Sequence, residues 1–438
     1  MPQATKRARS RALRRPLAAA LACMALGAAA ADDAPSGELR LHWDERPASA
    51  RGPLAEADAL VPGIGRPTPG SWMAEAELRH TLRTRLGQQS LALGADLLTW
   101  HEQPQGDAVI AGQRSHLRLN ELHIGTDIGA WNLLAGKKVL GWDVGYGFRP
   151  NDVVQQETRR TQLSVTPEGR PLLQLEHFDS DTAATLVWVN PQHLDAAAQA
   201  TRRAQESALA GRWYRRDGAV DWHAFARIGE HTRASVGGAL AWVAGDELEL
   251  HASARVLQRH DGWLPGLPSA GAAAASIASG NPWQLATRGG ATQALLGLSW
   301  TGTAQQGLMV EAWHDGTALS NREWDAWTAR NVALAGSRAP RGAVAGNLAW
   351  QSTPLDSPNL RRDNLFVRGS WQPGPWLFTL DLLLTPADRG RITTAGLQWQ
   401  GDRLRLNASW RVHGGPAASV IGQLPQRGSG LVAATWAF

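Results

Sequence analysis

The amino-acid sequence predicts an all-β fold, a transmembrane antiparallel β-barrel of about 18 strands within a range of 16 to 20. Three observations carry the prediction. Apolar and polar residues alternate with period two in segment after segment, and tight turns take turns with long irregular stretches between those segments. The third is the final stretch LVAATWAF, an alternating apolar strand that closes on Trp436 and Phe438.

The elements follow in chain order. Residues 1–15 carry Lys6, Arg7, Arg9, Arg11, Arg14 and Arg15, and an apolar run closing on small residues follows before Asp32 and Asp33. That run is too short to span a bilayer, and residues 1–31 are predicted to be a secretory signal peptide. Its removal would take the six leader cations from the 44 basic residues, leaving 38 against 39 acidic ones. The mature chain is then near neutral, which removes the electrostatic case for nucleic acid. The single cysteine, Cys23, leaves with the leader. No disulfide framework, thiolate metal site or cysteine nucleophile is therefore expected. Residues 32–71 form an N-terminal periplasmic or first-strand segment, and 72–438 the barrel, with no linker rich in Pro, Ser or charge dividing them.

Strands are read from parity. From Arg403, one face carries Leu404, Leu406, Ala408, Trp410 and Val412; the other carries Arg403, Arg405, Asn407, Ser409, Arg411 and His413. One face suits hydrocarbon and the other water. Residues 72–86 set Ala74, Ala76, Leu78 and Leu82 against Glu75, Glu77, Arg79, Thr81, Arg83 and Arg85. Residues 247–259 place Glu249, His251 and Arg255 on the polar face, and 219–229 place Asp221, His223 and Arg227 there, with Phe225 as an exception. The same reading gives strands near 89–101, 113–124, 130–142, 170–178, 181–190, 206–215, 232–244, 291–301, 307–318, 342–352, 362–372, 375–386, 391–400 and 431–438. ELRLHW at 38–43 and WDAWTARNVALAG at 324–336 alternate less cleanly and stay outside the count, and 195–208 reads as a helix within a loop.

Asp217-Gly218, Gly245-Asp246, Pro373-Gly374 and Gly401-Asp402 are hairpin turns, while 260–290, 352–360 and 413–430 are long loops. Short turns on one rim and long loops on the other match a membrane barrel. Tryptophan outnumbers tyrosine 21 to 2, and Trp72, Trp100, Trp142, Trp242, Trp300, Trp371, Trp399 and Trp436 fall near strand ends, where an amphipathic ring suits a lipid interface.

On the water-facing parity arginine outnumbers acid, so the candidate pore-lining residues are Arg79, Arg83, Arg85, Arg118, Glu121, Arg149, Asp152, Arg227, Arg255, Arg403, Arg405 and Arg411. Guanidinium forks suit anionic groups; equally, these charges could pair across strands and form a wet wall. The stretch 143–170 is too long for a rim turn and carries Arg149, Asp152, Arg159 and Arg160. It either folds inward as a constriction or stays outside. Glu121/His123 and Glu249/His251 share faces, but no nucleophile motif or metal-ligand spacing accompanies them. No catalytic, cofactor-binding or metal residue is predicted, and no enzymatic activity. The alternatives are a barrel enzyme of phospholipase or protease type, and an adhesin or structural barrel working through its loops.

The ending LVAATWAF resembles the C-terminal assembly signal of Gram-negative outer-membrane β-barrels. The resemblance implies residence in the outer membrane, contact with its lipid and lipopolysaccharide, and engagement of the barrel-assembly machinery through Trp436 and Phe438. Residues 113–190 more loosely resemble porin-like barrels of the alginate-export kind, at Asn120-Glu121, Gly136-Lys137-Lys138, Trp142 and Pro150-Asn151-Asp152. They depart from it at Asp143, where such barrels carry glycine. This second resemblance implies a channel for passive or facilitated passage of small, anionic solutes or of a polyanionic polymer.

Overall fold

The computed structural model describes residues 35–65, 67–86, 89–104, 114–155, 167–194, 206–266 and 275–438. The expected signal peptide, Arg159, Arg160 and most of the helix expected over 195–208 lie outside them.

Eighteen strands close one antiparallel sheet. In chain order they are β1 (Ser36–Glu45), β2 (Gly70–Leu86), β3 (Gln89–Pro104), β4 (Arg114–Ile128), β5 (Trp131–Lys138), β6 (Arg170–Phe178), β7 (Thr182–Val189), β8 (Ala208–Asp217), β9 (Val220–Gly229), β10 (Arg233–Val243) and β11 (Leu248–Leu257). After a separate hairpin of β12 (His260–Pro265) and β13 (Trp283–Arg288), the wall resumes with β14 (Ala291–Thr301), β15 (Gln306–Asp315), β16 (Asp363–Trp371), β17 (Trp376–Thr385), β18 (Gly390–Gln400), β19 (Leu404–Gly414) and β20 (Gly428–Ala437). Each wall strand pairs with the next, and β20 returns to β1 in the register Glu38↔Ala437 to Glu45↔Gly430. Closure leaves the sheet no free edge strand.

The seam is tight. Gly37 and Phe438 exchange backbone hydrogen bonds of 3.1 Å each, and a Cβ on Gly37 would lie 2.6 Å from the Phe438 ring. A residue without a side chain is what lets the terminal aromatic lie across the neighbouring strand.

Parity holds around the wall. Outward residues are apolar and exposed, as at Leu117 (71 %), Leu296 (67 %) and Ile228 (64 %). Trp131, Trp213, Trp222, Trp242, Trp300, Trp371, Trp376 and Trp436, all exposed, sit beside the short-turn rim as an aromatic belt. Long connections share the opposite rim, at 46–69, 139–169, 258–290 and 316–362.

One sequence expectation is corrected, and the two segments left outside the strand count are placed. The strand expected at 342–352 is a helix, α3 (Arg341–Trp350), whose buried Val344, Ala345 and Leu348 recur at helical spacing. The segment 324–336 belongs to α2 (Asn321–Ala335), started by a capping box in which Ser320 and Glu323 satisfy each other's backbone N–H groups. Residues 38–43 lie in β1, so one strand gained offsets one lost. Helix α1 (Pro53–Leu60), within the 46–69 connection, packs with α2 and α3 through Ala57, Leu334, Val344, Ala345 and Leu348. Loops from β1–β2 and β15–β16 thus meet above β17–β20, where Trp324, Trp327 and Leu355 also bury against Ile392 of the wall.

Candidate functional site

Trp142 is not at a strand end. Near the end of β5, Gly136 takes φ +133°, a conformation costly for residues with a Cβ, and after Lys138 the chain runs inward. Residues 139–155 line the inside of the barrel. Trp142, Val153 and Val154 bury against Leu134, Leu172, Val187, Ala210, Phe225 and Ala239, the inward faces of β5 to β10. Phe225 breaks the polar parity of β9 because it belongs to this apolar seat.

Polar contacts fix the remainder of the loop. Asp152 accepts from the backbone N–H of Trp142 at 2.8 Å, and Asp143 accepts from Ser253 Oγ at 2.7 Å. The Asn151 amide donates to Ser253 Oγ at 2.9 Å and to the Ala254 carbonyl at 3.1 Å. Gly237 lies beneath it, where a Cβ would run into Asn151 Oδ1 and the Ala254 carbonyl. Further round, the fully buried Glu311 accepts from the N–H groups of Tyr146 (2.7 Å) and Gly147 (2.6 Å) while His251 Nε2 lies 2.9 Å away. Phe148 stacks on Trp313, and the Arg368 guanidinium stands 5.0 Å from the Tyr146 ring centroid. The loop therefore touches every strand from β4 through β11 and β14 through β16, eleven of the eighteen.

A ladder of charge crosses the remaining side of the wall, from β19 past β20 to β1, β2, β3 and β4. Arg405 lies 3.8 Å from Glu38, and Arg40 binds Glu38 (2.6 Å), Glu75 and Glu77 (2.6 Å). Arg79 joins Glu77 at 2.5 Å and stands 3.8 Å from Asp96, which accepts from Asn120 at 3.0 Å. Register makes it: Arg40 lies opposite Glu75 and Thr435, and Arg79 opposite Asp96. A lumen with an inserted loop on one side and alternating charges on the other presents a solute with two unlike walls.

The sequence-predicted pore residues fall into three groups. Arg79 and Arg405 are in the ladder, and Arg83 continues its face of β2 as an exposed side chain; Arg85 follows, its side chain outside the described residues. Arg411 donates to Thr394 Oγ1 at 3.1 Å on the same sector of wall. The second group holds loops rather than facing a passage. Arg149 pairs with Asp152 at 3.4 Å, Arg255 donates to the Pro150 carbonyl at 3.1 Å, and Glu121 accepts from Val139 N–H at 2.7 Å. Arg227, buried, meets Glu206 at 3.3 Å, and Arg118 lies 3.7 Å from Glu168, which also binds Lys137. Arg403 forms the third group: it sits in the turn before β19, not on the strand. Sequence reasoning missed Glu38, Arg40 and Asp96 in the ladder and Tyr146 and Glu311 in the loop clamp. The alternation of ELRLHW and the polar parity of Glu311 within LMVEAWHD were the available signals.

A solved structure shares this architecture. The crystal structure of Acinetobacter baumannii OccAB3 aligns over 93 % of this chain and 100 % of its own at 10 % identity, with a TM-score of 0.53. A Rhodopseudomonas blastica porin triple mutant covers the same shares at 11 % identity, with a TM-score of 0.42. The likeness is one of fold. No protein-family model matches the chain, and no curated relative does.

Proposed function

We propose that the chain is an outer-membrane channel that passes small polar solutes, with a mild preference for anions, down their gradient. The observation that carries this reading is the two-walled lumen: a closed barrel, apolar outside, whose interior holds an ordered loop on one side and the Arg405–Glu38–Arg40–Glu77–Arg79–Asp96 ladder on the other. Water-filled barrels select by the groups lining their narrowest part. The ladder arginines Arg40, Arg79 and Arg405 are already paired with carboxylates, so their field is partly cancelled and the preference is mild. In this reading the loop rim faces outward, the Trp belt sits at the inner lipid interface, and β20 is the strand gripped by the barrel-assembly machinery.

Single-channel current of the refolded protein in a planar bilayer, with reversal potential under a salt gradient, tests it. Steady conductance with anions favoured is expected. A folded but silent barrel would refute the channel reading and turn attention to hydrolase activity; a cation preference would show that the ladder's carboxylates dominate. The finer expectation, a polyanionic polymer as solute, rests on the resemblance of residues 113–190 to alginate-export barrels. An oligouronate added to one side should then interrupt the current at concentrations where a neutral oligosaccharide of equal length does not.

A further inference from the structure

The inward loop carries an aromatic face turned to the passage. Gly145-Tyr146-Gly147-Phe148 is a tight turn: a Cβ on Gly145 would run into the Phe148 carbonyl, and one on Gly147 would crowd Glu311. Glu311 holds the N–H groups of Tyr146 and Gly147, and Phe148 is stacked on Trp313, so the backbone that displays Tyr146 is pinned. The Tyr146 ring lies over two successive inward residues of β16. Its centroid is 6.2 Å from that of Phe366, with 24° between the ring planes, and 5.0 Å from the Arg368 guanidinium. Both supports belong to the wall and the ring to a segment inside it, so the opposite face of the ring looks toward the barrel axis. Tyr146 is 42 % exposed, and no other large apolar side chain of residues 139–155 is exposed.

A polar row continues from beneath that ring. Arg368, Asp381, Thr394 and Arg411 lie opposite one another in register across β16, β17, β18 and β19. Neighbouring strands about 4.8 Å apart set the step of the row. Asp381 accepts twice from Arg368, at 2.8 and 3.2 Å, and Thr394 Oγ1 accepts from Arg411 Nε at 3.1 Å. A carboxylate oxygen keeps a second lone pair, and a hydroxyl that accepts can still donate. The row therefore sets acceptors at Asp381 and a donor at Thr394 beside the aromatic face. A saturated ring with C–H bonds on its face and hydroxyls round its edge uses both. An aromatic guest would cover the face and desolvate the row, and an open-chain polyol would use the row and leave the face bare.

We propose that Tyr146 and this row form a stacking subsite for a pyranose ring, with the C–H face of the sugar on Tyr146 and its hydroxyls on Asp381 and Thr394. The inference rests on the lumen being a passage for small polar solutes and names sugars as a class among them. The loop then both narrows the barrel and orients the solute that passes its tip.

Saturation-transfer NMR of the full chain folded in deuterated detergent tests the subsite, with methyl β-glucopyranoside as probe and glycerol as the open-chain control. A saturable signal is expected from the sugar, strongest on the protons of its apolar ring face, and none from glycerol. Tyr146→Ala, which keeps the backbone clamp, should weaken binding about tenfold or more, the worth of the lost ring contact, while Tyr146→Phe binds as the parent does. Thr394→Val should weaken it severalfold with the same ring face still in contact. Absence of a saturable sugar signal from the folded parent, or equal binding by Tyr146→Ala or Thr394→Val, overturns the proposal. Heat-modifiable gel mobility confirms that each variant is folded, and the parent titration decides even where a variant does not fold. Conductance of the same preparations separates the subsite from the channel reading. A silent barrel with a Tyr146-dependent sugar signal keeps the subsite and loses the channel, and a conducting barrel without that signal does the reverse.

Discussion

Replacing Glu311 with glutamine strikes the clamp that fixes the tip of the inward loop. The carboxylate accepts from Tyr146 and Gly147 N–H with one oxygen each, and its side chain is fully buried. Glutamine retains one acceptor oxygen and turns an NH2 group toward the other N–H donor. One hydrogen bond to a charged group is lost, about 1.5–3 kcal/mol, and a donor is left facing a donor. Each 1.4 kcal/mol is a factor of about ten, so the share of molecules with the loop tip released should rise roughly tenfold to a hundredfold. The assay is single-channel recording, with far-UV circular dichroism and heat-modifiable gel mobility confirming a folded barrel. Glu311→Gln should show larger mean conductance and added open-channel noise, and Glu311→Ala a stronger version of both. Conductance and noise equal to the parent in a folded Glu311→Gln protein would falsify the argument that this clamp sets the loop position.

Other expectations follow from the same geometry. Gly237→Val should push Asn151 off its seat, which limited proteolysis between residues 139 and 155 would report as faster cleavage. Deleting Phe438 removes the Gly37 pairing and should lower the fraction of heat-modifiable, membrane-assembled protein; equal assembly would count against the role given to this residue. Ser320→Ala should loosen α2 by about 1 kcal/mol, the usual worth of an N-cap side chain, read as faster hydrogen exchange in its first turns. Burial alone would raise the Glu323 carboxyl, but hydrogen bonds from Ser320 and the Arg288 charge outweigh it and hold the group below its ordinary value near 4.5. A carboxyl lowered on folding adds stability above that value and loses it as the pH falls through the folded pKa. Protection of α2 should therefore be full at neutral pH and decline as the pH falls below the ordinary value and on through the lowered one, and an acid-insensitive helix would contradict it.

Much of the wall was legible because a barrel strand has one lipid face and one wet face, a pattern with period two that survives in a single sequence. Strands β6 to β11 and β14 to β19 fall within a few residues of expectation. Segments read wrongly are those where that pattern is diluted by small residues. RGAVAGNLAW alternates as well as a strand does, and the helical recurrence of Val344, Ala345 and Leu348 needed three residues to be weighed as a face. Ser320-Asn321-Arg322-Glu323 was a readable capping box that the search for alternation passed over. The arginine excess was legible but its pairing was not, since Arg40 meets Glu75 only once strand register is known. Nor does local sequence state whether a long connection folds in or out. Phe225, apolar where the lumen should be polar, was a local hint of an apolar seat.

The seam between β1 and β20 also dictates when this molecule can exist. Every other wall pairing joins strands that are neighbours in the chain, reachable by hairpin closure as the polypeptide emerges. Glu38 and Ala437 are not: the first strand must wait for the last, and until they meet β1 and β20 are both sticky edges in an open, half-apolar sheet. A synthesis arrested anywhere after β2 therefore yields an aggregation-prone ribbon rather than a smaller barrel. Both edges stay open to other chains for as long as the wall is incomplete.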